Sequence, residues 1–259
     1  MGAFEMTGLA TAIGFYTRIP MRGLTAPTEL ARSAPWFPVV GAGIGASIAA
    51  AYIGLRMLLP DTIAAILATS GGALLTGALH EDGLGDVADA FAGGWTVEQR
   101  LEILDDPRQG TFGVIALTAA FLTRTSAIAT FDVYSALAVI PAAHALSRVP
   151  GIVLMRRQPL ARREGLAEAL ASNLKPVHEF SGIVIGFAVG AALIGPWVVP
   201  AVVLCALVSW GLAALARAKI GGIGGDILGA TQQLTEITVL LMSVAAVRGA
   251  WGVLAWWRP

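Results

Sequence analysis

The sequence predicts an all-α protein: a polytopic transmembrane helical bundle of about seven spans, built as one domain over residues 1–259. Three observations carry this. Hydrophobic residues make up 56% of the chain and charged residues only 13%, against about 25% charged in soluble domains. Mean hydropathy is +0.73. Glycine is abundant, at 31 residues, as is common where membrane helices approach closely. Formal net charge is zero, so no basic surface points to nucleic acid. The single cysteine, Cys205, sits in an apolar run and reads as a packing residue.

In chain order, residues 1–20 predict a short helix ending at Thr17-Arg18-Ile19-Pro20, too short and polar for a clear span and suited to the interface. Met1 to Tyr16 lacks a positive n-region, so no cleavable signal peptide is expected. Residues 21–36 form a polar connection with Arg22, Glu29 and Arg32. Pro38 is well placed to open a helix, and the first clear span is expected at about 37–59, with Gly41, Gly43 and Gly45 packing against a neighbour. A turn at Pro60-Asp61 leads to a second span, about 62–80. After a polar stretch, spans follow at about 111–131 and 134–155. Residues 156–180 are polar. Two further spans, about 181–196 and 197–215, are divided near Pro196 and Pro200, and the last runs from about 234 to 257.

Short turns at 60–61, 132–133 and near 196 leave the long loops on one face. That face carries Arg18, Arg22, Arg32, Arg100, Arg108, Arg156, Arg157, Arg162, Arg163, Lys175, Arg217 and Lys219, whereas only Arg56 and Arg258 lie near the other. By the positive-inside rule the long loops are cytoplasmic.

The second span delivers the stretch His80-Glu81-Asp82-Gly83-Leu84-Gly85-Asp86-Val87-Ala88-Asp89, with four carboxylates in nine residues. In a helix, Asp82, Asp86 and Asp89 stand at i, i+4 and i+7 on one face, where like charges repel. A divalent cation removes that conflict, and carboxylate oxygens without Cys or clustered His favour Mg²⁺, Ca²⁺ or Mn²⁺ over zinc. A solvated acidic face is the bland alternative. Acids at the mouth of a membrane helix are costly, which favours function. Arg124, Arg148 and Arg248 fall inside predicted spans. Arg124 and Arg148 follow the acidic loop and would pair with its carboxylates or hold phosphate; Arg248 reads as snorkelling.

Clustered carboxylates, a metal and nearby arginines at a membrane face suit phosphoryl transfer. Asp105-Asp106-Pro107-Arg108-Gln109-Gly110 supplies a candidate base and cation on a loop. The glycine-rich run Gly221 to Gly229, with Asp226, would cradle phosphate by backbone N–H groups. An ion transporter is a rival, but would place its charges near mid-span in broken helices.

The run His80 to Asp89, then Asp106 to Gly113, then Gly224-Gly225-Asp226-Ile227-Leu228-Gly229-Ala230, resembles cobalamin synthase, the adenosylcobinamide-GDP ribazoletransferase family. Phe15-Tyr16-Thr17-Arg18-Ile19-Pro20 and Phe37-Pro38-Val39-Val40-Gly41 match that family's N-terminal pattern. Gln233 stands where the pattern often has Glu, and Asp105 where it often has a basic residue, so an acidic role is carried to Asp106 only. The family in turn resembles CDP-alcohol phosphotransferases in its spaced aspartates, and a phospholipid-making enzyme of that kind is the alternative.

The resemblance implies a bacterial inner-membrane enzyme joining adenosylcobinamide-GDP to α-ribazole or its 5′-phosphate, with release of GMP. It implies Mg²⁺ held by Glu81, Asp82, Asp86 and Asp89, and Asp106 as base, with Asp89 counted among the catalytic residues too. His80, Arg108, Arg148, Gly225 and Asp226 would bind substrate. Lipid bilayer and the two substrates are the expected partners, nucleic acid is not, and a homo-oligomer is left open.

Overall fold

The computed structural model describes residues 3–21, 26–162, 165–248 and 256–257. Arg22, Arg163, Arg258 and most of the C-terminal end of the last expected span lie outside the described residues. The helices are α1 (Ala3–Tyr16), α2 (Pro27–Ser33), α3 (Phe37–Leu55), α4 (Asp61–Thr76), α5 (Leu79–Gly93), α6 (Val97–Leu104), α7 (Thr111–Ile128), α8 (Val133–Leu146), α9 (Val149–Arg157), α10 (Leu166–Asn173), α11 (Pro176–Ile194), α12 (Val198–Ile220) and α13 (Gly225–Arg248). Among the described residues the only extended pairing is one isolated bridge, Leu160 with Ile223.

By length and apolarity, five stretches of the described residues qualify as spans: Pro27–Leu55, Thr111–Ile128, Val133–Arg157, Pro176–Ile220 and Gly225–Arg248. The pair α4 and α5 makes a sixth only if a 92° bend is allowed within one crossing. The sequence predicts about seven. Part of the difference is that Pro176–Ile220 is a single 45-residue run containing both α11 and α12. At 1.5 Å per residue it would be about 67 Å long, against a hydrocarbon core of roughly 30 Å. Gly195, at φ +55, interrupts it.

Close helix contact is made by glycine. A Cβ on Gly45 would come within 2.7 Å of the Ile140 carbonyl and Pro141 Cα, and one on Gly41 would strike the His144 carbonyl. These two, at i and i+4, seat α3 directly on the backbone of α8, as small residues do between membrane helices. Gly43, two residues from each, meets nothing within 4 Å, so only two of the three expected glycines pack. Large apolar side chains such as Phe180, Phe187, Val203 and Leu207 stay exposed on α11 and α12, which suits lipid contact.

The break that matters for the site lies after α4. Gly77 and Ala78 both adopt positive φ (67° and 56°), a conformation Ala tolerates poorly. Arg18 anchors the turn, its backbone N–H donating to the Leu75 carbonyl at 2.8 Å. The acidic helix α5 therefore leaves the direction of α4 and packs on α13 and α7.

Candidate active site

Two glycines bring α5 against α13. A Cβ on Gly83 would lie 2.8 Å from the Asp226 carbonyl, and one on Gly229 would lie 3.4 Å from His80 Cα. At that approach Asp82 on α5 and Asp226 in the first turn of α13 line one cleft. Asp86, one turn further on, accepts a hydrogen bond from Gln109 Nε2 at 2.7 Å and feels the charges of Asp82, Asp226 and Asp89. Gly83→Ala is expected to push the two helices apart, costing about 1–3 kcal/mol of stability. It should abolish activity while membrane insertion, followed by fractionation, persists; a fully active variant would show that the seam is not the site.

The other two acids of the stretch are engaged elsewhere. Asp89 is buried, and its carboxylate accepts the N–H groups of Gly110 (2.7 Å) and Gly113 (2.9 Å). It thereby caps α7, whose own N-cap residue, Gly110, has no side chain to do so. Glu81 turns inward and accepts from Arg124 Nη2 at 3.0 Å. The expected four-carboxylate metal set is thus divided: Asp82 and Asp86 stay at the seam with Asp226. Among the described residues no three His, Cys, Asp or Glu side chains are gathered as a metal-binding group.

The cleft has a volume of about 210 Å³. Its polar wall is His80, Asp82, Ser147, Arg148, Asp226 and Gln232, and its apolar wall includes Phe15, Phe37, Leu79 and Met155. His80 stacks on Tyr16 with ring centroids 5.5 Å apart, and the Arg148 guanidinium lies over the same ring at 5.3 Å. Gly225 lines the cleft as the first residue of α13, so helix N-terminal N–H groups adjoin it. The glycines before it, Gly221, Gly222 and Gly224, do not line this cleft. Gly222 packs against Pro159–Ala161, and Ile223 N–H donates to the Pro159 carbonyl at 2.9 Å. A second cavity of about 220 Å³ shares Gly225 and Asp226 with the first and lies toward Asp105 and Arg162, which pair at 2.7 Å.

Beneath the cleft is a buried polar network that the sequence alone does not assemble. Glu236 accepts from Gln232 Nε2 (2.6 Å), reaches His144 Nδ1 (3.2 Å) and faces Arg124 Nη1 (3.4 Å). Gln232 Nε2 also donates to Ser147 Oγ at 3.0 Å. Arg124 thus pairs with two carboxylates, one of the two roles expected for it. Among the described residues Arg148 reaches no carboxylate at ion-pair distance; its Nη1 donates to the His144 carbonyl, and it lines the cleft. The available signal for this network is Gln232, Gln233 and Glu236 in a membrane helix, where polar residues face a partner or cavity.

Asp106 and Arg108 line neither cavity. They bind each other on the exposed loop after α6, with Arg108 Nε 2.9 Å and 3.2 Å from the two carboxylate oxygens. The Arg108 side chain is 85% exposed. The hydrogen bonds from Arg108 lower the Asp106 carboxyl to about 2. A carboxylate that stays ionised down to that pH accepts a proton weakly at neutral pH, which argues against the expected base role. Asp106→Asn is expected to keep turnover within about tenfold and to leave the acid limb of the pH–rate profile in place, against the 10²–10⁴-fold loss of a removed general base.

The family model described as CobS, cobalamin-5-phosphate synthase, matches residues 8–244. The chain belongs to this family. Proteins named adenosylcobinamide-GDP ribazoletransferase are similar along nearly their whole length. That of Azorhizobium caulinodans is 38% identical, covering 98% of this chain and 97% of its own. That of Ralstonia pickettii is 36% identical, covering 96% and 95%. That of Chlorobaculum tepidum is 36% identical, covering 96% of this chain and 100% of its own. No solved structure matches. None of these matches bears on the resemblance to CDP-alcohol phosphotransferases expected for this cobalamin-5-phosphate synthase family.

Proposed function

We propose that the chain transfers the adenosylcobinamide phosphate group of adenosylcobinamide-GDP to a hydroxyl of α-ribazole or its 5′-phosphate, releasing GMP. The observation that carries this is that Asp82 on α5 and Asp226 on α13 line one cleft with Arg148, while Asp86, one turn along α5, lies within reach of both acids' charge. Family membership and the names of the relatives support it. We place the chain in the inner membrane of a bacterium, with the site and the Arg-rich loops toward the cytoplasm.

Asp82 and Asp86 would hold Mg²⁺. The donor set fits: Mg²⁺ is commonly bound by one or two carboxylates, with substrate phosphates and water completing its shell, so no third protein ligand is required. When bound, the ion neutralises diphosphate oxygens and makes the phosphorus more electrophilic. Arg148, held over Tyr16, takes charge on the departing GMP phosphate. Asp226, which lines both large cavities, would accept the proton of the attacking hydroxyl. That oxygen bonds to the phosphorus nearest the cobinamide, the bridging P–O bond breaks, and the bridging oxygen leaves on GMP. Tyr16, His80 and Phe37 would supply the packed aromatic part of the wall against which the substrate rests.

The test uses purified protein with Mg²⁺ and two alternative donors. Release of GMP from adenosylcobinamide-GDP, with a new corrinoid product, is the expected result. Release of CMP from a CDP-linked lipid instead would move the protein to the phospholipid-making class.

A further inference from the structure

A third, much smaller cavity, lined by residues of α3, α4, α5, α7, α8 and α13 and by Arg148, has a volume of about 20 Å³. Five buried side-chain atoms on its lining residues have no hydrogen-bond partner among the described residues: Thr69 Oγ1, Glu81 Oε2, Arg124 Nε, Arg148 Nε and Gln233 Oε1. Buried polar atoms left unsatisfied are destabilising, and five on the residues lining one space point to a shared ligand.

We infer that this cavity binds one ordered water molecule, which ties Glu81, Arg124 and Arg148 to α4 and α13. The size fits, since a single water needs a cavity of about 10–15 Å³ or more. So does the chemistry. The two arginine Nε–H groups only donate, Glu81 Oε2 and Gln233 Oε1 only accept, and the Thr69 hydroxyl does either. A monatomic cation would face two N–H donors, and a halide would face a carboxylate and an amide oxygen. Water accepts two hydrogen bonds and donates two, so it serves four of the five atoms directly and the fifth through a bifurcated bond. The lining charges also balance, Arg124 and Arg148 against Glu81 and Glu236, which favours a neutral occupant.

The consequence reaches the cleft, and this part rests on the function proposed above. Arg148 is fixed on one side by the His144 carbonyl through Nη1 and on the other by the water through Nε, so its guanidinium stays over Tyr16. Thr69 and Gln233 are then positioning residues: they touch no substrate and act through the water on Arg148 and Glu81.

The test is an experimental structure of the full chain in lipid nanodiscs, at a resolution that shows ordered water, with kinetics on Thr69→Val and Thr69→Ser. The expected density is one peak about 2.6–3.2 Å from at least one arginine Nε and at least one of Glu81 Oε2 and Gln233 Oε1. No peak, or a peak contacting donors alone or acceptors alone, overturns the water. Thr69→Val should lower kcat about fivefold or more, with KM for adenosylcobinamide-GDP little changed, and Thr69→Ser should restore it. An unchanged kcat in Thr69→Val overturns the positioning role. If the wild type releases no GMP, the proposed function fails, while the density still decides the water.

Discussion

Asp82→Asn and Asp86→Asn are each expected to lower turnover about a thousand-fold or more, with the protein still folded and inserted. The magnitude follows from the chemistry. Loss of one preorganised charge-stabilising group in an active site costs about 10²–10³ in rate, and a site with only two carboxylates for its metal has no spare ligand. The structural cost should be small. Neither side chain caps a helix, and Asp86 receives one side-chain hydrogen bond, from Gln109, that Asn can also accept. Each substitution also removes one of the mutually repelling acids of the seam. Initial rates at saturating Mg²⁺, set beside a thermal melt in detergent, separate the two effects. Retained turnover in both variants would remove these residues from the metal site. Asp89→Asn is the contrasting case, since Asp89 caps α7 and its loss should appear first in the melt.

Glu236→Leu should have the largest effect on stability of any single change in the site. Glu236 is 2% exposed and is the hub that Arg124, His144 and Gln232 share. Leucine leaves those three groups facing a hydrocarbon side chain, and removing one partner of a buried charged pair costs about 3–5 kcal/mol. The melting midpoint should fall by roughly ten degrees, given the usual conversion for a chain of this size. Glu236→Gln keeps the shape and one acceptor oxygen, and Arg124 keeps its second partner, Glu81, so it should fall between wild type and Glu236→Leu. A melt of Glu236→Leu that overlays the wild type would mean that the network contributes nothing to the fold.

Much of this architecture is legible in the sequence because apolar runs and their polar borders are local. The spans at 111–128 and 133–157 fall close to the expected positions, and the i, i+4 spacing of Asp82 and Asp86 does place them together on α5. What the sequence hides depends on distant partners. Asp89 shares that helical spacing, but its carboxylate is taken up by N–H groups 21 and 24 residues further on. Glu236 meets an arginine 112 residues away. The start of α13 is hidden for the same reason. Thr231, Gln232, Gln233 and Glu236 look too polar for a span until their burial against α7 and α8 is seen. The helix therefore begins at Gly225 rather than near 234, and Asp226 becomes a first-turn residue beside the cleft instead of part of a loop. The paired Asp106 and Arg108 mislead in the opposite sense, since two residues of suitable chemistry on a loop neutralise each other away from the cavities.

The most direct test of the central claim is GMP release by the purified wild-type protein with adenosylcobinamide-GDP and Mg²⁺, measured with and without α-ribazole phosphate. Transfer at the α5–α13 seam predicts GMP only when both the metal and the ribazole are present, with one new corrinoid formed for each GMP. GMP release that continues without the ribazole, or that is unaffected by chelating the metal, would contradict it.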